Sequence, residues 1–172
     1  MSTTEQMGAA RIDHVVVPGT FDPVTLGHMD VISRTRKLFP RVTVAVAASV
    51  NKRGRGTAFT LEERVEMLRQ ALAEEGLSDV EVMPFAGLLV DFCHGIGALG
   101  VVKGLRAMTD FEYELQQADL NCHMAPDIES VFVMSNPKYG YVSSSIVREI
   151  SSMGSDVSSL VPPCVNQRLR EH

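Results

Sequence analysis

The sequence predicts an α/β fold: one domain built on a doubly wound, five-stranded parallel sheet, with further helices at its C-terminal end. Three observations carry this. Short β-branched runs alternate with longer helical patterns. The runs are apolar on both faces, as strands buried between two helical layers must be. Each intervening segment is long enough to form a right-handed crossover. A length of 172 residues suits one such domain.

The elements follow in order. His14 to Val17 is the first strand, and the Asp22-Pro23 turn leads to a helix over Leu26 to Phe39 capped by Thr25. Val42 to Ala48 is the second strand. Thr60, with Glu63 three residues on, forms a capping box that starts a helix over Leu61 to Glu75. Val80 to Met83 and Leu88 to Ile96 give the third strand and helix. Gly95, Gly97 and Gly100 spell a literal G-x-G-x-x-G, yet a helix precedes it and the Val101 to Lys103 strand follows. A dinucleotide fingerprint needs the reverse order, so this stretch reads as a helix stop and turn. Phe111 to Met124 and Val131 to Met134 complete the alternation. Helices at Ser144 to Met153 and Val165 to Arg170 are separated by Pro162-Pro163. Residues 1–11 read as a disordered N-terminal tail and residues 12–172 as the domain. In this Rossmann-like arrangement, ligands bind at the carboxyl ends of the strands.

Composition removes several classes of function. With 21 Asp+Glu against 16 Lys+Arg, the formal charge is −5. The pI is near 5.5, and the chain has no basic stripe with which to neutralise nucleic-acid phosphates. No apolar run approaches the ~20 residues that cross a bilayer, so no membrane partner is expected. Cys93, Cys122 and Cys164 are odd in number and widely spaced, which fits neither a disulfide framework nor a zinc site and suits a reducing, cytoplasmic setting. No metal bound by protein side chains is expected.

The chemistry concentrates where the first strand ends, in Gly19-Thr20-Phe21-Asp22-Pro23-Val24-Thr25-Leu26-Gly27-His28. A helix beginning here turns its first free N–H groups toward the carboxyl edge of the sheet, where they attract an anion. Gly27 leaves out a Cβ where a ligand would approach. The imidazole of His28, in the first turn, leans back toward the helix start. Phosphate suits this geometry. Lys52 beyond the second strand, and Lys103 and Arg106 at the fourth, place cations on the same edge. Tyr139, Gly140, Tyr141, Val142, Ser143, Ser144 and Ser145 bring aromatics and hydroxyls to a further strand end and helix start.

The string from Gly19 to His28 resembles the signature of nucleotidyltransferases with an H/T-x-G-H motif. Phe59-Thr60-Leu61-Glu62-Glu63-Arg64, Lys103-Gly104-Leu105-Arg106, Asp110-Phe111-Glu112-Tyr113-Glu114 and Val142-Ser143-Ser144-Ser145 narrow the resemblance to the bacterial phosphopantetheine adenylyltransferase family. The resemblance covers roughly residues 12–170, nearly the whole chain. The resemblance implies reversible transfer of AMP from ATP to 4′-phosphopantetheine, giving dephospho-coenzyme A and pyrophosphate. It further implies ATP as co-substrate, Mg²⁺ carried on its phosphates, and a homohexamer with contacts near Asp110 to Met124. His28, Lys52 and Thr20 would be catalytic. Thr20, Phe21, His28, Gly104, Leu105, Arg106, Glu114 and the stretch Tyr139 to Ser145 would contact ATP. Thr20, Lys52, Leu89 and Lys103 would contact the acceptor. Lys103 stands where many relatives carry arginine, which keeps the charge but loses a bidentate fork. A superfamily member acting on nicotinate mononucleotide or on a cytidylyl acceptor would share Thr20, Gly27 and His28. A non-catalytic nucleotide sensor would be expected to have lost His28, Lys52 or Arg106, and all three are present.

Overall fold

The computed structural model describes residues 11–48, 57–106 and 108–172, with side chains at all of these except 108–110. Five strands, β1 (His14–Gly19), β2 (Arg41–Ala47), β3 (Glu81–Phe85), β4 (Gly100–Leu105) and β5 (Glu129–Met134), form one sheet in the order β3-β2-β1-β4-β5. Every pairing is parallel. Helices α1 (Leu26–Leu38), α2 (Leu61–Glu74), α3 (Leu89–Ile96) and α4 (Met108–Met124) are the crossovers. A short 3₁₀ turn (Pro137–Tyr139) and helices α5 (Ser144–Ser152) and α6 (Pro163–Glu171) follow. The expected architecture is therefore observed. Residues 1–10 of the expected tail lie outside the described residues.

Strand alternation divides the core between the two sheet faces. Val15, Val17, Val44 and Val46 pack with Met29, Ile32, Leu68 and Val165, so α1, α2 and α6 cover one face. Val16 and Ala45 point the other way, onto Val90, Cys93 and Val101. The expected capping box at Thr60 and Glu63 forms, with mutual hydrogen bonds of 2.8 and 3.2 Å. Gly97 closes α3 in the left-handed region at φ 70°, so the glycine triplet is a helix stop. No helix among the described residues is long and apolar enough to cross a membrane.

The strand order places a topological switch point between β1 and β4, and the ladder there is short. Val15 pairs with Gly100 and Val16 with Val101, but no pairing continues beyond. On its other side β1 stays in register with β2 as far as Gly19 and Val46. Pro18 therefore sits in a central strand where β4 has already parted and its missing N–H leaves no gap in that ladder. Parting of the two strands opens a cleft at their carboxyl ends, as expected for a doubly wound sheet.

Candidate active site

The turn leaving β1 is unusually constrained. Phe21 is buried with φ 51°, a left-handed conformation uncommon for a side chain of its size, and the Asp22–Pro23 peptide is cis. Three attachments hold this turn. The buried Asp22 carboxylate accepts the backbone N–H groups of Ala58 and Phe59 at 2.8 and 2.9 Å. The Arg148 guanidinium of α5 donates to the Asp22 carbonyl and lies 3.6 Å from its carboxylate. The Ser144 hydroxyl donates to the Pro23 carbonyl at 2.8 Å.

Beyond the turn, Thr25 caps α1 as its position predicts, but its partner is His28 rather than an acidic residue. The Thr25 hydroxyl accepts the His28 N–H at 3.3 Å, while the Thr25 N–H donates to His28 Nδ1 at 3.0 Å. A backbone N–H can only donate, so Nδ1 must be the bare nitrogen of the ring and the proton resides on Nε2. Burial, with the Arg106 guanidinium as second cause, pushes this imidazole down to about 4. At neutral pH His28 is thus an uncharged ring in a fixed tautomer, lying edge-on to Phe21 with centroids 5.0 Å apart. Sequence reasoning foresaw the ring's location but not this lock. The spacing of Thr25 and His28, matching that of Thr60 and Glu63, carried the signal.

His28 faces a cavity of about 340 Å³ in the cleft between β1 and β4. Thr20, Phe21, Gly27, Lys103, Gly104, Arg106, Glu114, Val142, Ser143 and Ser144 line it together with His28. Lys103 Nζ and Glu114 Oε2 lie 3.4 Å apart within it, and that carboxylate oxygen is buried without a hydrogen bond. The Arg106 guanidinium donates to the Val142 carbonyl, tying β4 to the segment before α5. Gly104 permits the close approach of α1, since a Cβ there would come within 2.5 Å of Val31 Cγ2. By contrast, a Cβ on Gly27 would lie 3.6 Å from its nearest protein atoms, Thr25 Oγ1 and Tyr139 Cβ, so protein packing does not itself demand glycine there.

The expected anion site at the start of α1 is narrower than the sequence suggested. Leu26 N–H donates to Leu160 O at 2.9 Å and His28 N–H to Thr25, leaving Gly27 N–H as the first-turn donor without a hydrogen bond among the described residues. Tyr139, Gly140 and Tyr141 are not at a strand end. Tyr139 closes the 3₁₀ turn and packs on the core, and Tyr141 is largely exposed. None of the three lines the cavity, because the turn inserted after β5 carries them aside. Ser143 caps α5 through Ile146 N–H, and Ser145 lies 3.5 Å from Arg148. Ser145, Leu105 and Leu89 are also outside the lining: Leu105 is buried, and Leu89 packs on the core beneath α3. Lys52 lies outside the described residues. Ser135, Val31, Val17 and Val102 line the cavity without having been singled out, their apolar or single-hydroxyl character giving no chemical signal.

Comparison with known proteins agrees with this geometry. Residues 16–150 match the family model described as cytidylyltransferase-like. The chain is 48% identical over 155 residues to a phosphopantetheine adenylyltransferase of Nocardioides, covering 90% of this chain and 94% of the relative. It is 50% identical over 156 residues to one from Thermobifida fusca, covering 91% and 92%. A solved structure of a bifunctional NMN adenylyltransferase/ADP ribose pyrophosphatase from Francisella tularensis shares the fold. Its TM-score is 0.68 at 16% identity, covering 94% of this chain and 49% of the other. With the match spanning most of the chain and the cleft at the switch point carrying the motif residues, this chain belongs to the cytidylyltransferase-like nucleotidyltransferases and, among them, to the phosphopantetheine adenylyltransferase family.

Proposed function

We propose that the β1–β4 cavity carries the adenylyl transfer of this family, from ATP to 4′-phosphopantetheine, with His28 as the neutral donor to the transferred phosphoryl group. The observation that carries the reading is the locked Nε2–H tautomer of His28 on the wall of a cavity it shares with Lys103 and Arg106.

The acceptor's phosphate monoester is largely a dianion near neutral pH, its second pKa being about 6, so it attacks without a protein base. One acceptor oxygen forms a bond to the α-phosphorus of ATP while the bond to the bridging oxygen breaks, and pyrophosphate leaves with that electron pair. The site's task is alignment and stabilisation of charge on the non-bridging oxygens. His28 Nε2–H, the Thr20 hydroxyl and Gly27 N–H supply donors at the end of β1. Lys103, Arg106 and Lys52 supply positive charge, Lys52 and Lys103 toward the acceptor phosphate and Arg106 toward ATP. Gly104 and Val142 to Ser144 form the wall against which the nucleotide lies. Mg²⁺, arriving on the ATP phosphates, supplies further charge neutralisation. The cavity suits that mode of arrival, since among the described residues its one lining carboxylate, Glu114, faces Lys103, and no group of three or more of their His, Cys, Asp or Glu side chains converges.

Assembly as a homohexamer through α4 belongs to the same proposal, supported by the exposed Phe111, Leu115, Leu120 and Met124 along that helix. So does residence in a reducing cytoplasm, supported by free thiols at Cys93, Cys122 and Cys164.

The activity is tested by incubating the protein with ATP, Mg²⁺ and 4′-phosphopantetheine and measuring pyrophosphate. Release with nicotinate mononucleotide but not with phosphopantetheine would overturn the acceptor assignment. Lys52→Ala is expected to raise the KM for the acceptor roughly 10- to 100-fold, as loss of a charged hydrogen bond worth about 1.5–3 kcal/mol predicts, with the KM for ATP little changed. Equal turnover of a dephosphorylated acceptor would contradict the phosphate role of Lys52.

A further inference from the structure

Arg64 is among the most deeply buried side chains of the protein, at 1% exposure. It lies on the core face of α2 with Leu68, Ala71 and Leu72, at spacings of four, seven and eight residues, where apolar side chains are the rule. Its hydrogen-bond partners are two carbonyls: Nη1 donates to Thr20 O at 2.7 Å and to Ala47 O at 2.9 Å. Nε is buried with no hydrogen bond. A buried cation whose bonds go to neutral oxygens is costly, and an apolar residue of similar volume would often serve stability as well. Stability alone therefore does not account for arginine here.

Its location supplies the reason. The β1–β2 ladder ends at Gly19 and Val46, so Thr20, just past β1, and Ala47, the last residue of β2, are the positions at which that ladder stops. Beyond this point β2 stays with β3, with which it already pairs from Thr43 to Ala47, and Ala48 N–H continues that ladder by donating to Phe85 O at 2.8 Å. Thr20 goes the other way, into the turn that carries Phe21 and leads to His28. The guanidinium fills the fork between the departing strands and takes over both carbonyls where the ladder no longer can.

We infer that Arg64 is a positioning residue for adenylyl transfer, its bridge between the Thr20 and Ala47 carbonyls setting where Thr20 and the turn behind it present their donors to the transferred phosphoryl group. Arg64 does not line the cavity and does not touch substrate; it acts through the backbone of Thr20. The inference rests on the proposed role of the β1 exit in the transfer.

The full-length chain tests it, with wild type assayed first so that absence of pyrophosphate release there would count against the proposed function and not against Arg64. Arg64→Gln, which keeps polarity but removes the charge and the reach to both carbonyls, is expected to lower kcat by roughly 10- to 100-fold, the scale of a misplacement of about 1 Å. Its KM for ATP should change by less than about threefold, since ground-state binding is retained. Arg64→Lys keeps a cationic donor able to bridge, and should recover kcat to about two- to fivefold below wild type while still displacing the Phe21 and Ala48 amide resonances, whose peptide groups include the two bridged carbonyls. A Gln variant that folds and retains wild-type kcat would overturn the inference, as would a fall confined to the folded fraction with unchanged kcat per folded molecule. If Arg64→Gln does not fold, the Lys variant decides: displaced amide resonances with a two- to fivefold lower kcat support the bridge, and displaced resonances with wild-type kcat contradict it.

Discussion

Replacing His28 by alanine lowers turnover by roughly 10²- to 10³-fold, the cost typical of removing one preorganised donor from a developing oxyanion. Loss of ATP affinity should be small by comparison, because the donor acts most strongly where charge develops in the transition state. Steady-state kinetics with the melting temperature measured alongside check this. The ring lines a cavity rather than filling the core, but it also accepts the buried Thr25 N–H, so its removal should cost about 1–2 kcal/mol and leave the protein folded. A collapsed melt with unchanged kcat in the surviving molecules would instead show that capping α1 is the whole role of His28. Asparagine at position 28 separates the two roles further, since its side chain can accept from Thr25 N–H but cannot place a donor where Nε2 stands.

The second large effect is on stability. Asp22→Ala removes a buried acceptor shared by the Ala58 and Phe59 N–H groups and leaves Arg148 without the carboxylate 3.6 Å away. Orphaning the buried Phe59 N–H, the part-buried Ala58 N–H and the partly exposed Arg148 guanidinium is expected to cost about 3 kcal/mol. For a chain of this size that corresponds to a fall in melting temperature of roughly 6–12 °C. Asp22→Asn keeps one carbonyl oxygen and should fall between. Calorimetry of the three proteins decides, and an unchanged melt for the alanine variant would mean that the turn is held by Ser144 and Arg148 alone.

Much of the fold was legible because local and global signals coincide. Strands buried on both faces need continuous apolar runs, and β1, β2 and β4 supply them. The cap at Thr60 fixes the start of α2 to the residue. Boundaries were less well marked where a residue fits two roles. Pro18 looks like a strand stop, yet β1 runs through it, because only the three-dimensional parting of β4 makes its missing N–H harmless. Likewise Pro84 lies within β3, which is tolerable on an edge strand. The 3₁₀ turn at Pro137 was not legible, and that omission misplaced Tyr139 to Tyr141.

The site divides in the same way. Thr20, His28, Lys103 and Arg106 could be placed together because strand ends and helix starts share an edge in this topology. What could not be read was how their polar atoms are committed. Ser144 spends its hydroxyl proton on Pro23, Glu114 faces Lys103, and most first-turn donors of α1 are taken. Arg64 stands within a motif block whose resemblance assigns it no role, although a charge on the apolar stripe of α2 is visible in the sequence.

The ring of His28 also has a pH signature whose sign is fixed. Its folded value near 4 lies below the 6.5 of an unfolded histidine, so the unfolded chain takes up the proton first as pH falls. His28 therefore withdraws stability progressively between about pH 6.5 and pH 4, and contributes no pH dependence above that window. An acidic limb of activity near pH 6 would accordingly belong to the second ionisation of the acceptor phosphate, not to this imidazole.

Nitrogen NMR of the protein labelled at its imidazole rings, with His28 assigned through the alanine variant and spectra taken from pH 8 to pH 4.5, tests the central claim most directly. The account predicts a His28 ring that stays neutral across this range, with its proton on Nε2 and Nδ1 bare, and an Nε2 resonance that moves when ATP and Mg²⁺ are added. A ring titrating near 6.5, or one protonated on Nδ1, would contradict the assignment of His28 as a locked neutral donor to the phosphoryl group.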